Sequence, residues 1–375
     1  MKRLIYTLLI LLVLAPASSF AQRKKSYVIG FYNLENLFDT YHDEGKNDYE
    51  YLPDGANEWT DIKYEKKLAN MAKVIRAMRD ENNAYHAVLG VSEIENRHVL
   101  EDLVIQPDIA DANFQIVHYD GPDRRGVDVG LLYDPSRMTL VESESIPYTF
   151  DSDIDFGMTA EEKDAFRTRD ILMAHGVIDG EHFAFYVCHL PSRLGEKSGA
   201  LRSRGGEIVY NHYQKLLKKY PGIKCVVMGD MNDNPTDDSM AVYLHGRETL
   251  DEMVPGDFFS PFLSMLKAGF SSLYYRGESN IYDCLLVSYN LARPASGTFG
   301  IIPVTKSRNY PRFLAKRKFV ARMSAKRTFY GRIFVKPFMT NQSGQYKGTP
   351  FRTFSNGAFV GGYSDHYPTY IVIQK

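Results

Sequence analysis

The 375-residue chain predicts an α+β fold whose strands lie in buried sheets. Three observations carry this. Short runs rich in Val, Ile, Phe and Tyr recur along the chain, bounded by Gly, Asp, Asn or Pro. Several are apolar on both faces, which suits strands enclosed between a second sheet and a helix layer. The two clear helical patterns are separated by several strands, which argues for α+β layering over regular βαβ winding.

The expected strands are Tyr27–Tyr32, Ala87–Val91, Val127–Tyr133, Ile171–Ile178, His182–Cys188, Lys224–Met228, Ile281–Ser288 and Tyr367–Ile373. The first expected helix, Asp61–Arg79, repeats apolar residues at Tyr64, Leu68, Met71, Ala72, Ile75 and Met78. The second, Arg204–Lys219, repeats them at Ile208, Val209, Tyr213, Leu216 and Leu217, and stops before Pro221-Gly222.

Residues 1–21 read as a secretory signal. Lys2 and Arg3 precede the apolar run Leu4–Ala15, which is short for a membrane span. Ser19-Phe20-Ala21 then offers small residues at a cut before Gln22; the alternative is an N-terminal anchor. Residues 22–375 are expected to form a single domain, periplasmic or extracellular, with no integral membrane segment after signal removal. Cys188, Cys225 and Cys284 lie in apolar runs and read as small buried strand residues. Their odd number gives no full disulfide framework, and their spacing does not suit zinc.

The formal charge of −1 excludes a uniformly basic nucleic-acid coat, but it conceals an asymmetry. Residues 284–364 contain no Asp or Glu and carry 14 Lys and Arg. Without the signal and that stretch, the chain has 29 bases against 46 acids. The bases concentrate at about 303–353, read as a basic insertion interleaved with Phe313, Phe319, Phe329, Tyr330, Phe334 and Phe338. Such a segment grips a polyanion by charge and stacking, or else it is a helix–hairpin with an aromatic core face and a solvated basic face. The acidic stretch 39–61 lacks the spacing and Gly of a calcium loop and reads as solvated.

Polar clusters adjoin six apolar strands. They are Asn33-Leu34-Glu35-Asn36, Ser92-Glu93-Ile94-Glu95-Asn96, His189-Leu190-Pro191-Ser192-Arg193, Gly229-Asp230-Met231-Asn232-Asp233, Tyr282-Asp283 and Ser364-Asp365-His366. One acid at a strand end is usually a turn or cap residue. Six clusters let polar groups converge at a sheet rim while the core stays dry. Carboxylates, imidazoles and amides together suit an oxygen-liganded ion such as Mg²⁺ or Mn²⁺, and metal-assisted attack of water on a phosphorus ester.

The order Asn33, Glu93, His189, Asp230-x-Asn232, Asp283 and Ser364-Asp365-His366 resembles the endonuclease/exonuclease/phosphatase superfamily. The opening Tyr32-Asn33-Leu34-Glu35-Asn36-Leu37-Phe38-Asp39 resembles its secreted bacterial nuclease-like branch, and the resemblance spans about residues 27–375. It implies a four-layer α/β/β/α sandwich of two mixed sheets flanked by helices, with the site at one rim. It also implies roles. Glu93 is the principal metal ligand, with Glu35 and Asp365 near the metal. Asn33 supports that shell and the phosphate. Asp230 and Asn232 place water and a phosphate oxygen. Asp283 orients His366, and His189 faces the phosphate from the other side. Either Asp230 or His366 serves as base.

Arg169, which precedes an expected strand, matches a phosphate-contacting position of the superfamily. Arg193 and Arg125 are further arginines suited to phosphate, and Ser192, beside Arg193, is expected to bind phosphate or substrate with them. The expected activity is metal-dependent hydrolysis of DNA or RNA by a monomer with no stable protein partner. The alternatives are a lipid or inositol phosphate phosphohydrolase, or a catalytically silent binding protein.

Overall fold

The computed structural model describes residues 24–306 and 328–375. The expected signal segment, and the bases and aromatics of the basic stretch between residues 307 and 327, lie outside the described residues.

Two seven-stranded sheets form the centre. In chain order the first strands are β1 (Ser26–Leu37), β2 (Val88–Ile94), β3 (Gln115–His118), β4 (Asp128–Tyr133), β5 (Met138–Ile146), β6 (Ile171–Ile178) and β7 (Glu181–His189). There follow β8 (Lys224–Asp230), β9 (Gly246–Arg247), β10 (Phe258–Phe259), β11 (Asp283–Ser288), β12 (Gly300–Ile302), β13 (Gly331–Ile333) and β14 (Thr369–Gln374). One sheet has the order β12-β14-β1-β2-β4-β3, with β13 also on β14; the other runs β5-β6-β7-β8-β11-β10-β9. Both are mixed: β1 pairs parallel with β2, and β7 with β8, among antiparallel neighbours.

The sheets pack face to face, with β1, β2 and β4 of one against β7, β8 and β11 of the other. Their facing side chains include Phe31, Leu131, Phe185, Val187 and Met228, all buried. Burial on both faces explains the near-continuous apolar runs, and it accounts for the three free, buried cysteines.

Helices cover the outer faces. The longer ones are α1 (Asp61–Asn82), α2 (Arg97–Val104), α3 (Ser198–Lys219) and α4 (Pro261–Lys267). α1 buries its apolar stripe toward β1 and ends on Asn83 in the left-handed conformation, φ 53°. It therefore runs past the expected end at Arg79. α3 begins at Ser198, earlier than Arg204, because its first turn carries small residues and no apolar stripe. The expected α/β/β/α layering is present. Among the described residues, no helix is long and apolar enough to cross a membrane.

The described part of the basic stretch is built into the body. Phe329 and Phe334 are buried, and the Tyr330 ring meets Phe259 edge-on at 5.3 Å. Arg332 and Lys336 pair with Glu81 of α1 at 2.9 and 2.8 Å. These aromatics follow the core-face reading, and these two bases bind the protein's own helix.

Candidate active site

The site forms at the rim where β1, β2, β7, β8 and β11 end or begin. Strand register does most of the positioning. Asp230, the last residue of β8, lies opposite His189 on one side and Asp283 on the other. That alignment requires the β7 and β8 backbones to approach closely at Gly229, where a Cβ would collide with the Cys188 carbonyl. On the facing sheet, Asn33 pairs with Ser92, which places Glu93 beside it.

Several site residues are in the left-handed backbone region despite having side chains: Glu35 at φ 49°, Asn36 at 52°, Glu93 at 56° and Asn232 at 49°. The conformation is unfavourable for such residues and persists where surrounding contacts fix it. Here those contacts are local hydrogen bonds. The Glu35 N–H donates to Asn33 Oδ1 at 2.8 Å, Asn36 N–H to Glu93 Oε2 at 3.0 Å, and Asn232 N–H to Asp230 Oδ1 at 3.0 Å.

The Asn33 amide bridges the two sheets. Its nitrogen donates to Glu93 Oε1 and to Asp230 Oδ2, each at 3.0 Å. His189 Nε2 lies 3.8 Å from that Glu93 oxygen and 3.7 Å from that Asp230 oxygen. His366 Nε2 approaches Asp230 Oδ2 from another direction at 3.8 Å. Behind it, His366 Nδ1 meets both oxygens of Asp283, at 2.9 and 3.0 Å. The Ser364 hydroxyl donates to the Asn33 carbonyl at 2.8 Å, which ties the last segment to the first strand.

Burial and neighbouring charge tune these groups apart. Burial, reinforced by Asp283 and Glu93, pushes the Asp230 carboxyl up to about 7 despite the opposing pull of His366. Burial opposes charge on His366, but Asp283, Asp230 and Asp365 together outweigh it and hold the imidazole well above its usual value. Burial, helped by Arg169 and Arg125, keeps His189 well below its usual value, so His189 is neutral and His366 is cationic.

Ligand atoms of Glu93, His189 and Asp230 come within 4.8 Å of one another, and so do those of Asp230, Asp283 and His366. His189 Nδ1 is buried without a hydrogen-bond partner. Carboxylate oxygens and an imidazole that is not fully satisfied form a donor set that fits a divalent ion.

Glu35 and Asp365, expected near the metal, are in neither group. Arg352 lies between them, with Nε 3.0 Å from Glu35 and Nη2 3.1 Å from Asp365. Lys67 approaches Glu35 at 3.6 Å from within α1. Neither cation was among the expected site residues. The available signal for Lys67 was a base within the Tyr64–Leu68–Met71 stripe of an amphipathic helix.

The expected phosphate contacts divide. Arg169 is buried, and its guanidinium donates to the carbonyls of His189 and Leu190 at 3.1 and 2.9 Å and to Asp123 at 3.2 Å. It is therefore committed to bracing the end of β7. Arg125 is half exposed and lies 3.5 Å from the same Asp123. Arg193 pairs with Asp237 and Asp233 at 2.9 and 3.2 Å. Ser192 is exposed, and its carbonyl accepts from Arg202 at 3.1 Å. The Asn232 side chain donates to the Leu190 carbonyl at 3.0 Å, so its amide nitrogen orients the β7 end.

A family model for the endonuclease/exonuclease/phosphatase family matches residues 28–335 and 316–375. A search of curated proteins found no match by sequence. Among solved structures, an endonuclease/exonuclease/phosphatase family protein from Bacteroides thetaiotaomicron is similar, with TM-score 0.51 and 14% identity over 94% of this chain and 98% of that one. A mannosyl-6-phosphatase from the same organism gives TM-score 0.50 and 13% identity over 92% and 99% of the two chains. Humanized D. rerio TDP2 gives TM-score 0.50 and 13% identity over 93% and 99%. At such identities these likenesses speak to the fold, whereas the model match spans nearly all of the sequence. The chain belongs to the endonuclease/exonuclease/phosphatase family, a family of phosphoric ester hydrolases.

Proposed function

We propose that this chain is a secreted, Mg²⁺- or Mn²⁺-dependent phosphodiesterase that hydrolyses DNA or RNA by attack of water. The observation that carries the chemistry is the Asn33 bridge, which holds Glu93 and Asp230 on either side of one amide nitrogen at 3.0 Å. A divalent ion held by Glu93 would supply charge for a phosphoryl oxygen, leaving Asp230 and His189 for the proton transfer and the phosphate. The protein's own groups do the rest. Asp230, raised to about 7, is matched to taking a proton from water near neutrality. His366, held well above its usual value by Asp283 and its neighbours, is suited to donating. This supports Asp230 as base. Neutral His189, braced by Arg169, donates to the phosphate from the opposite side.

The nucleic-acid part of the proposal rests on charge. The acid-free stretch 284–364 enters the site at Arg352, and a polyanion approaching that side meets no carboxylate from it. The apolar run behind Lys2 and Arg3 supports secretion.

A second reading has its own observation. A cavity of about 650 Å³ lies beside the Asp230–Asp233 turn, lined by Asp155, Arg193, Asp233, Asp237 and Asp238 among others. Its acids repel a polyanion and suit a hydroxyl-rich leaving group, which favours a small phosphate ester. Such a substrate would parallel the mannosyl-6-phosphatase of similar fold.

Plasmid DNA, single-stranded DNA, RNA, sphingomyelin, inositol phosphates and a sugar phosphate, each with Mg²⁺, Mn²⁺ or EDTA, separate these readings. The expected result is nucleic-acid hydrolysis that EDTA and the Glu93→Ala and His366→Ala substitutions abolish. Turnover of the small esters alone would select the second reading, and hydrolysis that survives EDTA would exclude both.

A further inference from the structure

Glu35 and Asp365 already face cations of the protein itself. Arg352 contacts both, Nε to Glu35 Oε1 and Nη2 to Asp365 Oδ2, at 3.0 and 3.1 Å. The other Glu35 oxygen accepts the Thr353 N–H at 2.7 Å and faces Lys67 Nζ at 3.6 Å. Two carboxylates are thus matched by two cations. A guanidinium spanning two carboxylates does electrostatically what a bridging divalent ion does.

The arrangement is held in place from behind. Lys67, fully buried, also donates to the Thr353 hydroxyl at 2.5 Å and the Tyr363 carbonyl at 2.7 Å. One turn along α1, Asn70 donates to the carbonyls of Gly361 and Gly362 at 3.0 and 2.6 Å. The two arms of this segment then touch at Gly362, where a Cβ would collide with the Phe351 and Arg352 carbonyls. Helix α1 therefore clamps the segment so that Arg352 projects over Glu35 and Asp365. On the other side of Asn33, among the described residues, no Lys or Arg pairs with Glu93 or Asp230; the cationic neighbour there is His366, with Nε2 3.8 Å from Asp230 Oδ2, so Glu93 is the carboxylate left without a resident cation.

We propose that Arg352, backed by Lys67, is a built-in cation that fills the Glu35–Asp365 half of the centre and limits the protein to one divalent ion, bound on the Glu93 side. This rests on the metal dependence proposed above and assigns to Arg352 the control of metal number. A second ion beside a guanidinium and an ammonium meets like charge and finds both oxygens of Glu35 and one of Asp365 engaged. Removing the guanidinium frees Asp365 and one oxygen of Glu35.

Mn²⁺ titration of the full chain, with free ion followed by electron paramagnetic resonance, counts bound ions without relying on turnover. The wild-type protein should bind one Mn²⁺ per chain, and Arg352→Met and Arg352→Gln should each bind two. Arg352→Lys, which keeps the charge, should remain at one. Asp365→Asn should also remain at one with unchanged affinity, because Asp365 is not a ligand while Arg352 holds it; this test stands even if the Arg352 variants fold poorly. Two ions in the wild type, or one ion in folded Arg352→Met and Arg352→Gln, would overturn the assignment and leave the metal-dependent reading intact. No bound ion in either protein would overturn the metal-dependent reading itself. A melting curve for each variant establishes that it is folded.

Discussion

His366 Nδ1 lies 2.9 and 3.0 Å from the two oxygens of Asp283, and one of those oxygens also accepts the Ser272 hydroxyl at 2.6 Å. Asp283 is wholly buried, so its charge acts on the imidazole with little screening. The pair fixes the ring orientation and favours the cationic form. Asp283→Asn keeps the shape and removes the charge. It should reduce kcat by roughly 10²–10⁴, the range of general acid–base catalysis, with little change in KM. Steady-state kinetics measures the split, and the His366 proton resonance should show an acidic shift of its titration. A loss confined to KM would mean that the pair binds substrate and does not assist the reaction.

Asp230 gives the reaction a predicted acid limb. Burial raises its carboxyl to about 7, and a base must be ionised to accept a proton. As pH falls below that value the ionised fraction drops, so kcat should decline about tenfold per pH unit. Asp230→Asn should remove the limb together with most of the activity. A profile that stays flat through neutrality in the wild type would show that no group with this titration governs the rate.

Much of this site was legible because polar residues interrupt apolar strands at their ends. Asn33, Glu93, Asp230, Asp283 and His366 all stand out in that way; the register of β1, β2, β7, β8 and β11 brings the first four together, and a backbone bridge to Leu273 seats His366 beside Asp283. Strand β5 was missed for the opposite reason. It is an edge strand in which the polar run Glu142-Ser143-Glu144-Ser145 spans both faces, none of it buried, so no apolar run marks it. The true role of Arg169 was equally hidden. Its position beside a strand is visible in sequence, but its commitment to the His189 and Leu190 carbonyls depends on how two loops meet. Arg352 is similarly obscure, because a base within a basic stretch carries no mark of the two acids it will touch.

Glu95 provides a stability test close to the site but independent of catalysis. Its Oε1 is buried without a hydrogen-bond partner, while Oε2 accepts the Asp39 N–H at 2.8 Å. Burial, together with the charges of Asp39, Asp43 and Asp48, raises its carboxyl from the ordinary 4.5 to about 9. The folded protein thus binds a proton that the unfolded chain releases above 4.5, and stability must fall as pH rises from there toward about 9. Glu95→Gln removes this dependence. Relative to wild type it should be increasingly stable toward alkaline pH, with a difference in slope of about 1.4 kcal/mol per pH unit inside the window. Thermal melts at acid and alkaline pH check it; a constant offset between the two proteins would show that Glu95 is ionised throughout.

Lys67 is the remaining buried charge on which the site depends. It lies in the apolar stripe of α1, fully shielded, with Glu35, Thr353 and the Tyr363 carbonyl as its partners. Burial pulls its pKa down while Glu35, Asp365 and Glu93 hold it up, and Glu35 is in turn raised by burial and by Asp365. Lys67→Met fits the stripe sterically but leaves Glu35 with Arg352 as its remaining cationic contact and removes the donor to Thr353 Oγ1 and the Tyr363 carbonyl, the latter keeping its bond from the Thr353 hydroxyl at 3.3 Å. Removing one member of a buried pair costs about 3–5 kcal/mol, and the partial exposure of Arg352 moderates the loss toward the lower figure. Urea denaturation should show the midpoint falling with an unchanged m-value. Adding Glu35→Gln to Lys67→Met removes the uncompensated carboxylate, so the double variant should be more stable than Lys67→Met alone. If the two losses simply add, the 3.6 Å approach carries no coupling and the clamp acts through the Thr353 and Tyr363 hydrogen bonds.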